Sequence, residues 1–92
     1  MADIAVERTG ANGQIVFDVR VMDGSSESRH EVTLSEEDYR QLGEGYDSPE
    51  EFVTACFEFL LAREPKESIL SRFDVSVISR YFPDFEEAIT RG

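Results

Sequence analysis

The sequence predicts an α+β domain: an N-terminal three-stranded antiparallel β-meander packed on one face by three to five C-terminal helices. Apolar and polar residues alternate as far as Leu34, a pattern typical of strands with one buried and one solvated face. The capped apolar segments that follow are typical of helices. A length of 92 residues suits one domain, so we expect a single unit over residues 1–92, with the sheet in 1–34 and the helical half in 35–92.

The first hairpin is predicted from a turn signal at residues 10–13, where Asn12-Gly13 favours a positive φ. A four-residue loop over these positions sets the expected register, because it pairs the residues on either side of it. The predicted pairs are Thr9 with Gln14, Val6 with Phe17, and Ile4 with Val19.

A second turn at Asp23–Ser26 leads into a third strand over about Glu27–Leu34, with His30, Val32 and Leu34 on the apolar face. A four-residue turn would set Arg20 against Arg29 and Asp18 against Glu31. Like charges directly opposed across a sheet are unfavourable. We therefore expect a longer loop, which shifts the register by two residues and places Arg20 opposite Glu31.

The helical half begins at Ser35, a predicted N-cap with Asp38 at the third helical position. Gly43 and Gly45 are expected to end this short helix.

The central helix is predicted over Ser48–Arg63. Ser48 is its N-cap, Glu51 completes a capping box, and Pro65 ends the segment. Apolar side chains cover most of its circumference, so the helix is expected to be buried on more than one side. We expect it to contact the apolar sheet face and a C-terminal aromatic group. The two apolar stripes are Phe52, Cys56 and Phe59, and Val53, Phe57 and Leu60; the aromatic group is Phe73, Tyr81, Phe82 and Phe85.

Near the C-terminus, the stretch Ser68–Phe73 is nearly repeated as Ser76–Tyr81. An offset of eight residues fits two short helices, the second capped by Asp74. One continuous helix also fits the spacing, and the β-branched residues leave a strand within 74–82 as a third alternative. We favour helix. Asp84 is expected to cap a last helical turn or two.

The net charge of −11 is the strongest compositional signal. It repels nucleic-acid phosphates and anionic membranes, so we expect neither as a partner, and we expect a strongly electrostatic protein partner to be basic. A salty cytoplasm or a GC-rich coding bias would explain the same composition. The chain has no apolar N-terminal run, which predicts no signal peptide, no membrane span and a cytoplasmic location. Exposed edges of a small sheet fit a monomer or a homodimer.

Candidate chemistry is sparse. Cys56 could act as a nucleophile with His30 as its base, but a cysteine inside an apolar helix is typical of the core. The acidic run 36–38 is explained by helix capping, and the sequence has no metal-binding motif and no phosphate-binding loop, so we expect no cofactor. Arg72 and Arg80 occupy equivalent places in the repeat and could contact an anion or a partner, although they could equally be solvated residues that balance nearby acids.

The stretches His30–Leu42, Ser48–Leu70 and Ser76–Ile89 together resemble a family of small uncharacterised prokaryotic proteins. This resemblance covers nearly the whole chain and implies no known activity or catalytic residue. In layout, a small sheet followed by a capped helix is also similar to the HicB-like antitoxins. That second likeness rests on the order of elements rather than on a motif.

These observations favour a non-enzymatic protein-interaction or adaptor module. Helix capping explains most of the patterned polar residues and core packing explains most of the apolar ones, so no convergent polar site is left over. The first alternative is an antitoxin-like or nucleic-acid-mimicking inhibitor that covers a basic partner with its carboxylates. The second alternative is a small enzyme that uses Cys56 or His30.

Overall fold

The computed structural model describes residues 3–11 and 13–90. Within these ranges the chain forms one mixed sheet, four α-helices and a short 3₁₀ helix, which confirms the α+β class. The strands are β1 (Asp3–Ala11), β2 (Gln14–Asp23), β3 (Ser26–Ser35) and β4 (Arg72–Asp74). The helices are α1 (Glu36–Leu42), α2 (Pro49–Leu61), α3 (Ser76–Tyr81) and α4 (Phe85–Thr90), and the 3₁₀ helix is Lys66–Ser68.

The sheet has the order β1-β2-β3-β4, and its first three strands form the expected antiparallel meander. The sequence did not predict β4, which pairs in parallel with β3 from within the expected helical half. The amide of Glu31 donates to the Ser71 carbonyl at 2.8 Å, and the amide of Val75 donates to the Thr33 carbonyl at 3.0 Å. A parallel pair needs a long crossover in place of a local turn, so a short strand of this kind leaves no hairpin signal.

The predicted register of the first hairpin is wrong by two residues. Val6 pairs with Val19 and Ile4 with Val21. Ala11 pairs with Ile15, so the turn lies further along the chain than predicted, and a bulge between Arg8 and Gly10 takes back one residue of the resulting three-residue shift. A two-residue shift keeps each side chain on its original face, so the core pattern survives. Gly13 has the expected positive φ of 78°, whereas Asn12 lies outside the described residues.

The predicted register of the second hairpin is also wrong. Arg20 lies opposite Arg29, and Asp18 lies opposite Glu31. The strands are joined through a tight turn in which Gly24 has a φ of 65°, the positive φ that a type II′ turn requires at its first central position. Arg29 finds its opposite charge within its own strand, where its guanidinium binds the Glu27 carboxylate at 3.1 Å. Turn geometry therefore outweighs a cross-strand repulsion of only about 0.2–1 kcal/mol.

The predicted N-caps of α1 and α2 are confirmed. The Ser35 hydroxyl accepts from the amide of Asp38 at 3.0 Å, and the Ser48 hydroxyl accepts from the amide of Glu51 at 3.2 Å. The Glu51 carboxylate accepts from the amide of Asp47 at 3.3 Å, one residue before the N-cap. α2 already ends at Leu61, before the proline expected to stop it.

One hydrophobic cluster joins the inner face of the sheet to the helices. Phe17, Val19 and Val21 of β2 are completely buried, and both predicted stripes of α2 are buried against them. Arg8 anchors the edge strand to α2 through a two-pronged ion pair with Glu50, whose pKa is lowered by this bond. No helix among the described residues is long and apolar enough to cross a membrane.

The two copies of the C-terminal repeat adopt different structures. The second copy forms α3, as predicted. The predicted cap at Asp74 is wrong, because Val75 occupies the N-cap position and makes no side-chain cap bond; the Asp74 carboxylate, one residue earlier, accepts from the amide of Ser76 at 3.0 Å. The helix predicted for the first copy is wrong, because that copy runs from the end of the 3₁₀ helix into β4. Pairing of Phe73 with Val32 of β3 selects the extended form.

Candidate partner-binding cleft

An apolar cleft of about 210 Å³ opens where the end of α2, the segment 69–73 and α3 meet. Its lining includes the buried side chains of Leu60, Phe73 and Ile78, which belong to the main core cluster. Side chains of the hydrophobic core therefore form part of the wall of this surface cleft, next to the short edge strand β4.

Two large apolar side chains on the rim of this cleft remain in solvent. Leu70 is 49% exposed and Tyr81 is 67% exposed. The prediction that Tyr81 joins the core is wrong. α3 ends at this residue, and the next one, Phe82, packs edge-on against Phe59 with ring centroids 5.8 Å apart.

Glu64 is the charged residue among those that line the cleft, and it is half-buried. Its carboxylate makes no ion pair with any residue that the structure describes. The cations nearest in sequence are occupied elsewhere: Arg63 binds Asp84 at 2.8 Å, and Lys66 pairs with its neighbour, residue 67. An unpaired acid thus sits beside an apolar surface.

His30 is hydrogen-bonded to the backbone of Leu70, on the rim of the cleft. Its Nδ1–H donates to the carbonyl of Leu70 at 2.7 Å, because a carbonyl oxygen can only accept. In this tautomer Nε2 accepts from the Ser28 hydroxyl at 2.8 Å. The imidazole is buried and lies 5.3 Å from the ring of Phe57. His30 is therefore a structural link between β3 and the segment before β4.

Cys56 lies in the core with 1% of its surface exposed, and burial raises the pKa of its thiol. A raised pKa disfavours the thiolate, which is the nucleophilic form of cysteine. Both hydrogen-bonded nitrogens of His30 are directed to Ser28 and Leu70. The structure therefore does not bring Cys56 and His30 together as a nucleophile and its base.

The structure places the two candidate arginines on different elements. Arg72, on β4, is 79% exposed at its side chain and lies 3.4 Å from the Glu31 carboxylate. Arg80 is exposed in the last turn of α3, next to Tyr81, and has no ion pair with the described part of the chain. An anion or partner contact for these residues stays a prediction.

The outer face of the sheet carries a row of like charges. Asp18 of β2 is in register with Glu7 of β1 on one side and Glu31 of β3 on the other. Arg72 neutralises the β4 end of this row, at Glu31. Over residues 3–11 and 13–90, no group of three His, Cys, Asp or Glu side chains is placed to hold a metal ion.

Comparison of the chain with protein-family models, with curated proteins and with solved structures finds no match. The cleft therefore has to be interpreted from its own chemistry. Glu64 and Leu70 were not predicted as site residues from the sequence. The available signal was that Glu64 lies four residues after Leu60, on the same side of a helical turn.

Proposed function

We propose that this domain is a non-catalytic protein-interaction module that binds a partner polypeptide in the apolar cleft. The observation that carries the proposal is the exposure of Leu70 and Tyr81 around a recess that reaches the core. In a chain with a net charge of −11, an exposed apolar recess is a candidate contact surface.

The size of the cleft favours a side chain over a free metabolite as its occupant. Small-molecule sites usually have volumes of about 300–1,000 Å³, whereas this cleft holds about 210 Å³. Its lining is mostly apolar, with Ser68 and Glu64 as the polar members. One large apolar side chain from a partner would fill it and bury the rim residues, as anchor residues do in protein interfaces.

The proposal is tested with a photo-crosslinking amino acid at position 81, compared with the same group at position 22 on the outer sheet face. We expect a discrete crosslinked partner from position 81 alone. The purified partner should then bind the wild-type domain and lose binding to a Leu70→Ser, Tyr81→Ser variant. Retained binding to that variant would exclude the cleft as the contact surface.

A matched control is the Val16→Ser, Met22→Ser variant, because both residues are half-buried and apolar but lie on strand β2 outside the cleft. It should bind the partner as wild type does. Circular dichroism of both variants checks that the fold is retained.

The second candidate is an antitoxin-like inhibitor that covers a basic partner. The row Glu7, Asp18 and Glu31 on the outer sheet face favours it, because like charges in register are relieved by an incoming cationic surface. The layout likeness to HicB-like antitoxins points in the same direction. Here the crosslink should form from position 22, and binding should fail at high salt and in an Asp18→Asn, Glu7→Gln variant.

A further inference from the structure

We propose that the partner segment in the cleft carries a lysine or arginine next to its apolar side chain, and that Glu64 pairs with this cation. This inference rests on the proposed function, since it specifies the chemistry of the segment that binds there.

The Glu64 carboxylate lies beside the apolar wall of the cleft. Glu64 and Leu60 both line the cleft, and the amide of Glu64 donates to the Leu60 carbonyl at 2.8 Å. This bond continues the turn at the end of α2 and keeps the acid on the same side as the apolar wall. A segment that places an apolar group against Leu60 therefore has its neighbouring residue within reach of the Glu64 carboxylate.

Among the residues that the structure describes, no cation pairs with Glu64. Arg63 lies over the ring of Phe59, with its guanidinium carbon 3.7 Å from the ring centroid, and also binds Asp84. Lys66, the single lysine of the chain, is buried and paired with Glu67. A half-buried carboxylate beside an apolar surface has lost part of its hydration, so an external cation is the complementary group.

Arg80 is less well placed than Glu64 to contact a segment in the cleft. Arg80 is the exposed cation next to Tyr81 in sequence, but it does not line the cleft, whereas Glu64 does. A basic flank on the partner also agrees with the overall charge of −11, which steers basic segments toward this protein.

The test uses nitrogen-15-labelled protein and three capped tetrapeptides that differ at one position: phenylalanine followed by lysine, by glutamine or by glutamate. Amide shifts of Leu70, Phe73 and Tyr81 report binding in the cleft. We expect the lysine peptide to bind about two- to fivefold more tightly than the glutamine peptide at low salt, the range of one partly exposed ion pair. We expect the glutamate peptide to bind most weakly.

The variant Glu64→Gln should abolish the preference for lysine, and salt should reduce it in the wild type. The matched control is Glu58→Gln, which removes the same charge from an exposed position on α2 outside the cleft and should keep the preference.

Equal affinity for the lysine and glutamine peptides, or a preference that persists in Glu64→Gln, would overturn this inference and leave the cleft as an apolar contact site. Tighter binding of the glutamate peptide would overturn it in favour of Arg80. If none of the three peptides shifts the cleft amides, both this inference and the proposed function fail.

Discussion

His30 Nδ1 lies 2.7 Å from the carbonyl oxygen of Leu70, and this hydrogen bond ties the central strand β3 to the rim of the cleft. Leu70 itself is half exposed and belongs to a segment without regular structure between the 3₁₀ helix and β4. The position of an exposed contact residue therefore depends on a buried side chain 40 residues earlier in the chain.

We expect His30→Phe to destabilise the domain by about 1–3 kcal/mol, because it leaves the Leu70 carbonyl and the Ser28 hydroxyl without their partner while an aromatic ring still packs on Phe57. Urea unfolding measures the change. Ser28→Ala is the control and should cost less, about 0.5–1.5 kcal/mol, since it removes one bond of the pair. A His30→Phe variant as stable as wild type would show that the link contributes nothing.

Truncation of Phe57 to alanine should cost about 3–5 kcal/mol of unfolding free energy, because the side chain is fully buried in the centre of α2. Tyr81→Ala is the matched truncation at an exposed position and should change stability by less than about 0.5 kcal/mol. Thermal and urea unfolding of both variants make the comparison. Similar losses for the two would mean that Tyr81 is packed in solution.

Replacement of Asp18 by asparagine should stabilise the domain by about 0.2–1 kcal/mol at low salt, since the carboxylate lies in register between Glu7 and Glu31. The gain should vanish in about 1 M salt, where the screening length falls to about 3 Å. Asp23→Asn removes the same charge at the turn, outside the row, and serves as control. Loss of stability in Asp18→Asn would instead show that attraction to Arg20 dominates.

The thiol of Cys56 should not react with a disulfide reagent in the folded protein at neutral pH, because burial blocks access and raises its pKa. One equivalent should react once urea unfolds the domain, since Cys56 is the single cysteine. Rapid stoichiometric reaction of the native protein would reopen a nucleophilic role. The unfolded sample supplies the control for reagent activity.

Features that depend on near neighbours were predictable. The caps at Ser35 and Ser48 need a hydroxyl and an amide three residues on, and both form as expected. The buried face of β2 follows from alternation, which survives the two-residue register errors. The error in the first hairpin arose from the position of the turn, which a bulge only partly offsets. The error in the second arose from a tight turn, whose backbone geometry outweighed the cross-strand charge pairing used to choose that register.

The cleft could not be predicted in the same way. Tyr81 and Phe82 are adjacent aromatic residues, and either could have packed against α2. Only the length of α3 decides which one meets Phe59 and which one is left in solvent. The isolation of Glu64 is equally a product of the fold, because Arg63 has its acid partner 21 residues away at Asp84.

The amino-acid sequence by itself determined the three-stranded meander, the starts of α1 and α2, the central position of α2 and the acidic composition, because these depend on local spacing and composition. The tertiary structure alone decided that one copy of a near-repeat becomes β4 and the other becomes α3. The free edge of β3 offers backbone hydrogen bonds to only one of the two copies. That choice leaves Leu70 and Tyr81 beside Glu64 at an opening of the core.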